Sequence, residues 1–323
     1  MVGFGLLIAS AVLLVAGSEL FAEHASAAGR RLGVTALAIG LVLAGAEPEE
    51  MVTATFASAR HLPGVAAGDA IGANVTMLTL VLGLAAVVRP FRLGGRVRTY
   101  GLAASTAGVA AALALVDGHV GRLTGALLVA AYGAAVAVVW WQEREPPAFG
   151  EAAELQAADG AGPDDAAQPD DAAQSAAAAD TKAAALVFAG VAVMAGGGWL
   201  AVSGAERIVG SLGLRQSVVG LTFVALATTA ELFALVGAAF RRGVEELAIA
   251  GVLGSAIYNA TATLGVAALV RPIQAGGIEW QAWLAAALPA GIVAYAALFR
   301  RVGRAGGVVL IAIYGVFLAL TFR

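Results

Sequence analysis

The sequence has no cysteine, so no disulfide, thiolate metal centre or cysteine nucleophile is available to it. Its three histidines, His24, His61 and His119, fall at the ends of apolar runs, which argues against a zinc or iron site. Charge is scarce as well. Only 13% of residues are charged, against roughly 25% in a soluble domain. The net charge of −3 gives no reason to expect a nucleic-acid partner. The first apolar run, from Val2, lacks a basic leader and a clear cleavage site, and it reads as a spanning helix rather than a cleaved signal peptide.

What the chain has instead is apolar length. With 60% hydrophobic residues and a mean hydropathy of +0.86, it reads as an integral membrane protein surrounded by lipid. Ten segments are long enough to span about 30 Å of hydrocarbon, near 3–24, 33–60, 64–88, 99–117, 121–142, 183–204, 215–241, 246–270, 280–299 and 304–322. The predicted fold is an all-α polytopic membrane protein. Residues 143–182 interrupt the series with ten acids, two bases and almost no large apolar side chain. Such a stretch cannot bury enough surface to fold, and it reads as a disordered acidic linker.

The linker separates two related halves, 1–142 and 183–323, each with five spans. TLVLGLAAVVRP (Thr79–Pro90) matches TATLGVAALVRP (Thr261–Pro272) at eight of twelve positions, at an offset of 182. The same offset pairs Glu49 with Glu231 and Gly72 with Gly254. Upstream, LGVTALAIGL (Leu32–Leu41) aligns with LGLRQSVVGL (Leu212–Leu221) at an offset of 180. Chance likeness among Ala/Gly/Val-rich segments is the competing explanation; the shared Arg-Pro ending and the paired glutamates speak against it. An odd number of spans per half makes the second half enter the membrane inverted, the design of secondary transporters with a site at the midplane. Placing both termini outside puts thirteen Lys and Arg residues on the inner side against six on the outer, and it puts the linker in the cytoplasm. The expected location is a bacterial plasma membrane.

The chemistry gathers in Ala44–Asn74, where Glu47, Glu49 and Glu50 surround Pro48 inside an apolar segment. One carboxylate at mid-membrane costs about 2.5–3.5 kcal/mol on insertion scales. Pro48 removes a backbone donor and tends to break the helix, freeing carbonyls to face an ion. Two facing carboxylates in a dry place repel, and a divalent cation relieves the conflict. Calcium takes six to eight oxygens. The candidates are the Glu49 and Glu231 carboxylates, the Asn259 amide, the hydroxyls of Thr228, Thr229 and Ser255, and carbonyls near Ala44, Gly45 and Ala227. Glu47 and Glu50 face either this site or a water-filled vestibule. Asn74, Ser255 and Asn259 serve either as ligands or in packing between helices. Asp69 reads as a helix-start residue near the membrane edge, and Trp140, Trp141, Trp280 and Trp283 as interfacial anchors.

At these residues the chain resembles the calcium/cation antiporter superfamily, which includes sodium/calcium and proton/calcium exchangers. AGAEPEE (Ala44–Glu50) and ATTAEL (Ala227–Leu232) are similar to the first part of its repeat motif; GDAIGAN (Gly68–Asn74) and AGVLGSA (Ala250–Ala256) are similar to the second. The resemblance implies a ten-helix transporter, not an enzyme, without a cofactor, passing Ca2+ one way and Na+ or H+ the other by alternating access. It implies acidic ligands at Glu49 and Glu231, downstream ligands at Ser255 and Asn259, and long first and sixth helices that slide against the bundle. The chain departs from the family pattern at Ala46, Ala73 and Met77, where hydroxyl, amide or acid groups are usual, and Glu47 is placed to compensate. Two other readings stand beside it. One is a degenerate exchanger acting as a cation-binding sensor or scaffold. The other is an intramembrane lipid phosphatase, which would want a buried Arg or His beside the carboxylates.

Overall fold

The structure is a computed structural model that describes residues 1–31, 47–143, 172–243 and 245–323. Within them the helices are α1 (Val2–Arg31), α2 (Pro48–Ala59), α3 (Pro63–Val88), α4 (Gly95–Ala114), α5 (Arg122–Glu143), α6 (Ala172–Leu212), α7 (Gln216–Thr228), α8 (Ala230–Arg242), α9 (245–270), α10 (Glu279–Phe299) and α11 (Arg304–Thr321). Hydrocarbon offers the backbone no hydrogen-bond partner, so apolar runs of this length must satisfy their own donors as helices. Among the described residues, seven helices are long and apolar enough to cross a membrane. The bent pair α7 and α8 makes an eighth span. The 20-residue α4, with Arg96 and Arg98 in its first turn, is a ninth. α2 completes the second span, whose upstream part, residues 32–46, lies outside the described residues. The fold is thus ten transmembrane helices in two inverted repeats of five.

Of the stretch read as linker, residues 144–171 lie outside the described residues. α6 begins at Ala172, inside the 143–182 stretch. The alanine-rich QSAAAAD segment explains the early start, since alanine is the strongest helix former.

The repeat found in the sequence is also a repeat of contacts. Gly83 of α3 crosses α11 at Gly307, and Gly265 of α9 crosses α5 at Gly125; both residues of one crossing map onto the other at the offset of 182. A Cβ on Gly307 would lie 2.6 Å from Gly83 O, and one on Gly125 would lie 2.7 Å from Gly265 O. Only glycine allows such approaches, the small-residue packing of membrane helices. One π-helical turn interrupts α3 at Met77–Val81, and another interrupts α9 at the equivalent Asn259–Thr263. In these turns the Thr79 and Thr261 hydroxyls donate back to the carbonyls of Val75 and Ile257.

Two-residue ribbons close the two ends of α4. β1 (Phe91–Arg92) pairs antiparallel with β4 (Arg301–Val302), joining the α3–α4 turn to the α10–α11 turn. β2 (His119–Val120) pairs with β3 (Ile273–Gln274), joining the α4–α5 turn to the α9–α10 turn. These ribbons are again related by 182. Outside them, α1 and α6 pack along their length through Gly17 on Gly190 and Gly3 on Gly204, and Ser10 Oγ donates to Gly197 O at 2.8 Å.

Candidate cation site

Two helix starts build the site. α2 starts at Pro48, where the missing N–H would have lacked a helical partner anyway, and Glu47 stands just before it. α8 starts at Ala230, just after Thr229, with a 40° bend from α7. Glu47 and Thr229 are repeat mates, so a helix starts at the equivalent position in both halves, although only the first has a proline there. At the second start Thr229 Oγ1 donates to Ala225 O at 2.7 Å, and Thr228 Oγ1 lies 3.2 Å from Val224 O. The first turns that follow carry Glu49 and Glu50 in α2 and Glu231 in α8. Negative charge is favoured at a helix N-terminus, where backbone N–H groups lack helical partners.

α3 crosses α7 closely. A Cβ on Gly68 would come within 2.6 Å of Ser217 O, and one on Gly72 would fall on Leu221 O. A Cβ on Gly220 of α7 would come within 2.5 Å of Val65 O and 3.0 Å of the Asp69 N atom. The close crossing sinks Asp69 into the interior, where it is 1% exposed and Oδ1 accepts a hydrogen bond from Thr228 Oγ1 at 3.0 Å. This corrects the expectation that Asp69 sits at the membrane edge. Its place near the start of an apolar segment suggested a shallow position. The glycine spacing at 64, 68 and 72 was the signal for a deep one.

The other expected residues are placed as follows. Glu47, Glu49 and Glu50 are essentially inaccessible, and Glu231 is 8% exposed. Glu47 Oε2 accepts from Asn259 Nδ2 at 3.4 Å, a contact between the halves, and Asn259 Oδ1 accepts from Thr263 Oγ1 at 3.2 Å. Ser255 and Glu50 flank the Glu47 carboxyl. Ser255 Oγ donates to Gly251 O at 3.1 Å, so lone pairs rather than its proton are left for the chamber. Glu50 stands within electrostatic reach of Glu47, Asp69 and Glu231. Glu49 is within reach of the Tyr258 hydroxyl. Asn74 Nδ2 donates to the carbonyl of Ala256, its own repeat mate, at 3.0 Å. Ala227 and Thr228 end α7. Ala44, Gly45 and Ala46 lie outside the described residues.

The chamber these buried side chains enclose is therefore acidic. Five carboxyl groups line it, and among the described residues no lysine or arginine is buried. Glu47 Oε1, both Glu50 oxygens, Asp69 Oδ2 and Asn74 Oδ1 are buried without a hydrogen-bond donor. Moving a bare carboxylate into such surroundings costs several kcal/mol unless a positive charge accompanies it. Among the described residues no three carboxyl or imidazole groups stand ready to hold a metal by themselves. A cation here would draw on neutral oxygens as well, which suits the many-oxygen shells of hard cations.

Comparison with known proteins gives the same picture. The family described as "Sodium/calcium exchanger protein" matches residues 2–141 and 182–323. The chain is 27% identical to a putative antiporter, CaxA, from Alkalimonas amylolytica, over 81% of this chain and 78% of that one. It is 33% identical over 93 residues to the sodium/calcium exchanger MaX1 of Methanosarcina acetivorans, 28% of this chain and 27% of the other. Its fold is similar to that of the sodium-calcium exchanger NCX_Mj, with a TM-score of 0.62 and 23% identity over 99% of each chain. Family, composition and helical architecture agree: this chain belongs to the sodium/calcium exchanger family of membrane transporters.

Proposed function

We propose that the protein is a secondary active antiporter that moves Ca2+ or a similar cation one way across the membrane and Na+ or H+ the other, by alternating access. The observation that carries this reading is the contact of Glu47 with Asn259 between the halves, ringed by Glu50, Ser255 and Asp69 and lying beside the starts of α2 and α8. Glu47, Glu49, Glu50 and Glu231 supply charge. Asn259, Ser255, Thr228, Thr229 and Asn74, with the carbonyls at the α7–α8 break, supply neutral oxygens. The cation neutralises the chamber while it is bound, and the same carboxylates receive the exchanged ion when it leaves. In this reading both termini are outside and the acidic linker between the halves is cytoplasmic, following the distribution of Lys and Arg.

Radiolabelled calcium uptake into proteoliposomes, under an imposed sodium gradient in one arm and a proton gradient in the other, tests this. The gradient that drives uptake identifies the coupling ion, and Glu47→Gln or Glu231→Gln should reduce uptake to background. A second reading rests on Ala73 and Met77, both fully buried where an oxygen-bearing side chain is usual in the family. It predicts thermal stabilisation by calcium with no flux under either gradient.

A further inference from the structure

The arginine-rich end of the bundle, remote from the acidic chamber, has a feature that ion exchange does not use. A cleft of about 1020 Å³ opens around the β1–β4 ribbon, and five arginines line it against two glutamates. Both glutamates are engaged. Glu245 pairs with Arg89 at 3.4 Å, and Glu246 accepts the main-chain N–H of Arg96 at 3.2 Å. Arg92 and Arg301 stand directly opposite each other in the ribbon. Neither has a carboxylate partner among the described residues. Like charges directly opposite destabilise a strand pair, and a ribbon two residues long has little pairing to offset it. The symmetry-related ribbon at the other end has no such conflict: His119 faces Gln274 at the equivalent positions. Arg300, which ends α10 in a left-handed conformation at φ 50°, adjoins this pair and adds a third positive charge. An anion between the arginines would relieve the repulsion.

Two apolar grooves run from this cleft along the membrane-embedded surface. One, of about 400 Å³, lies between α3 and α8 and shares Arg89 with the cleft. The other, of about 330 Å³, lies between α10 and α11 and shares Leu93 with it. Val88, Leu298 and Phe299 are exposed near the rim, at 77%, 75% and 62%. A free phosphate or nucleotide would use the cleft alone. A diacyl lipid would use all three parts.

We propose that this end of the bundle binds one anionic membrane phospholipid, its headgroup phosphate between Arg92 and Arg301 and its acyl chains in the two grooves. Basic pockets between transmembrane helices are suited to such headgroups. The inference is independent of which ions are exchanged.

Native mass spectrometry of the full-length protein in detergent tests it. Phosphatidylglycerol and phosphatidylcholine with identical chains are titrated in parallel, and inorganic phosphate forms a third arm read by thermal unfolding. Phosphatidylglycerol should be retained in preference and should raise the unfolding temperature. In the double variant Arg92→Gln, Arg301→Gln its affinity should fall roughly thirtyfold, the loss expected for two surface arginines. Gly291→Phe fills open space in the α10–α11 groove and should weaken lipid retention as well. Equal retention of the two lipids, or undiminished retention in the folded double variant, would overturn the proposal. Stabilisation by inorganic phosphate equal to that by phosphatidylglycerol, and indifferent to Gly291→Phe, would overturn the lipid as occupant. If the double variant does not fold, the choice between headgroups by the unaltered protein still decides.

Discussion

The two halves have the same backbone and different chemistry. Among the described residues, both start a helix at the same repeat position, both carry a π turn in the following span, and both cross the opposite half through a glycine pair. Around the chamber, however, the first half contributes Glu47, Glu49, Glu50 and Asp69, whereas the second contributes one acid, Glu231, with Thr228, Ser255 and Asn259. Where the second half has Asn259 the first has Met77, and where the second has Ser255 the first has Ala73. A duplicated scaffold fixes where side chains stand without fixing what they are. Here charge has collected on one side and neutral oxygen on the other, and Glu47 joins them by reaching Asn259.

This asymmetry can be broken by substitution, and the largest effects are expected where charge is removed. Glu47→Gln and Glu231→Gln should each bring exchange in proteoliposomes down to background while the protein remains folded in detergent. If Glu47→Gln transported normally, the acid-rich side would not be part of the ion path. The symmetry of the scaffold can be sharpened next. Gly125→Ala and Gly307→Ala place a methyl group against equivalent carbonyls, at 2.7 and 2.6 Å. Each should cost about 2 kcal/mol by overpacking. Unfolding measurements that gave clearly unequal losses would show that the two crossings are not mechanically alike.

Thr228→Ala tests the link between the two kinds of chemistry. It leaves Asp69 Oδ1 without its hydroxyl donor, a loss of about 1–3 kcal/mol. Thr228→Ser should restore most of it, and a stability series over the three proteins checks this. The smallest effect is expected at Arg60→Gln. Its ion pair with Glu206, 2.8 Å long, ties α2 to α6 away from the chamber, and both side chains are well exposed. Such pairs contribute about 1 kcal/mol or less, so exchange should barely change.

Much of this was legible in the sequence. Hydropathy located the spans, and the Arg-Pro endings with the paired glutamates revealed the repeat. Pro48 marked the start of α2, whereas the bend at Thr229 has no proline to mark it and left no local trace. The depth of Asp69 was not read correctly, because an acid near a helix start is common at a membrane surface. Its burial depends on how closely α3 approaches α7, which is a property of the pair. The π turns and ribbons left little local trace. A ribbon of two residues has no periodicity to detect, and a π turn differs from an α turn by one residue of register. The inward reach of Glu47 was open in the sequence, since residues flanking a broken helix can turn either way.

The ribbons also bear on motion. Each one fastens a turn of the first half to a turn of the second, at opposite rims of the bundle. Between them they fasten the spans formed by α3, α4, α5, α9, α10 and α11 into a frame whose corners are held by main-chain hydrogen bonds. α1, α2, α6 and the α7–α8 pair carry no such fastening. Under the alternating access proposed above, the movement falls to these four elements, and the frame is the wall they move against.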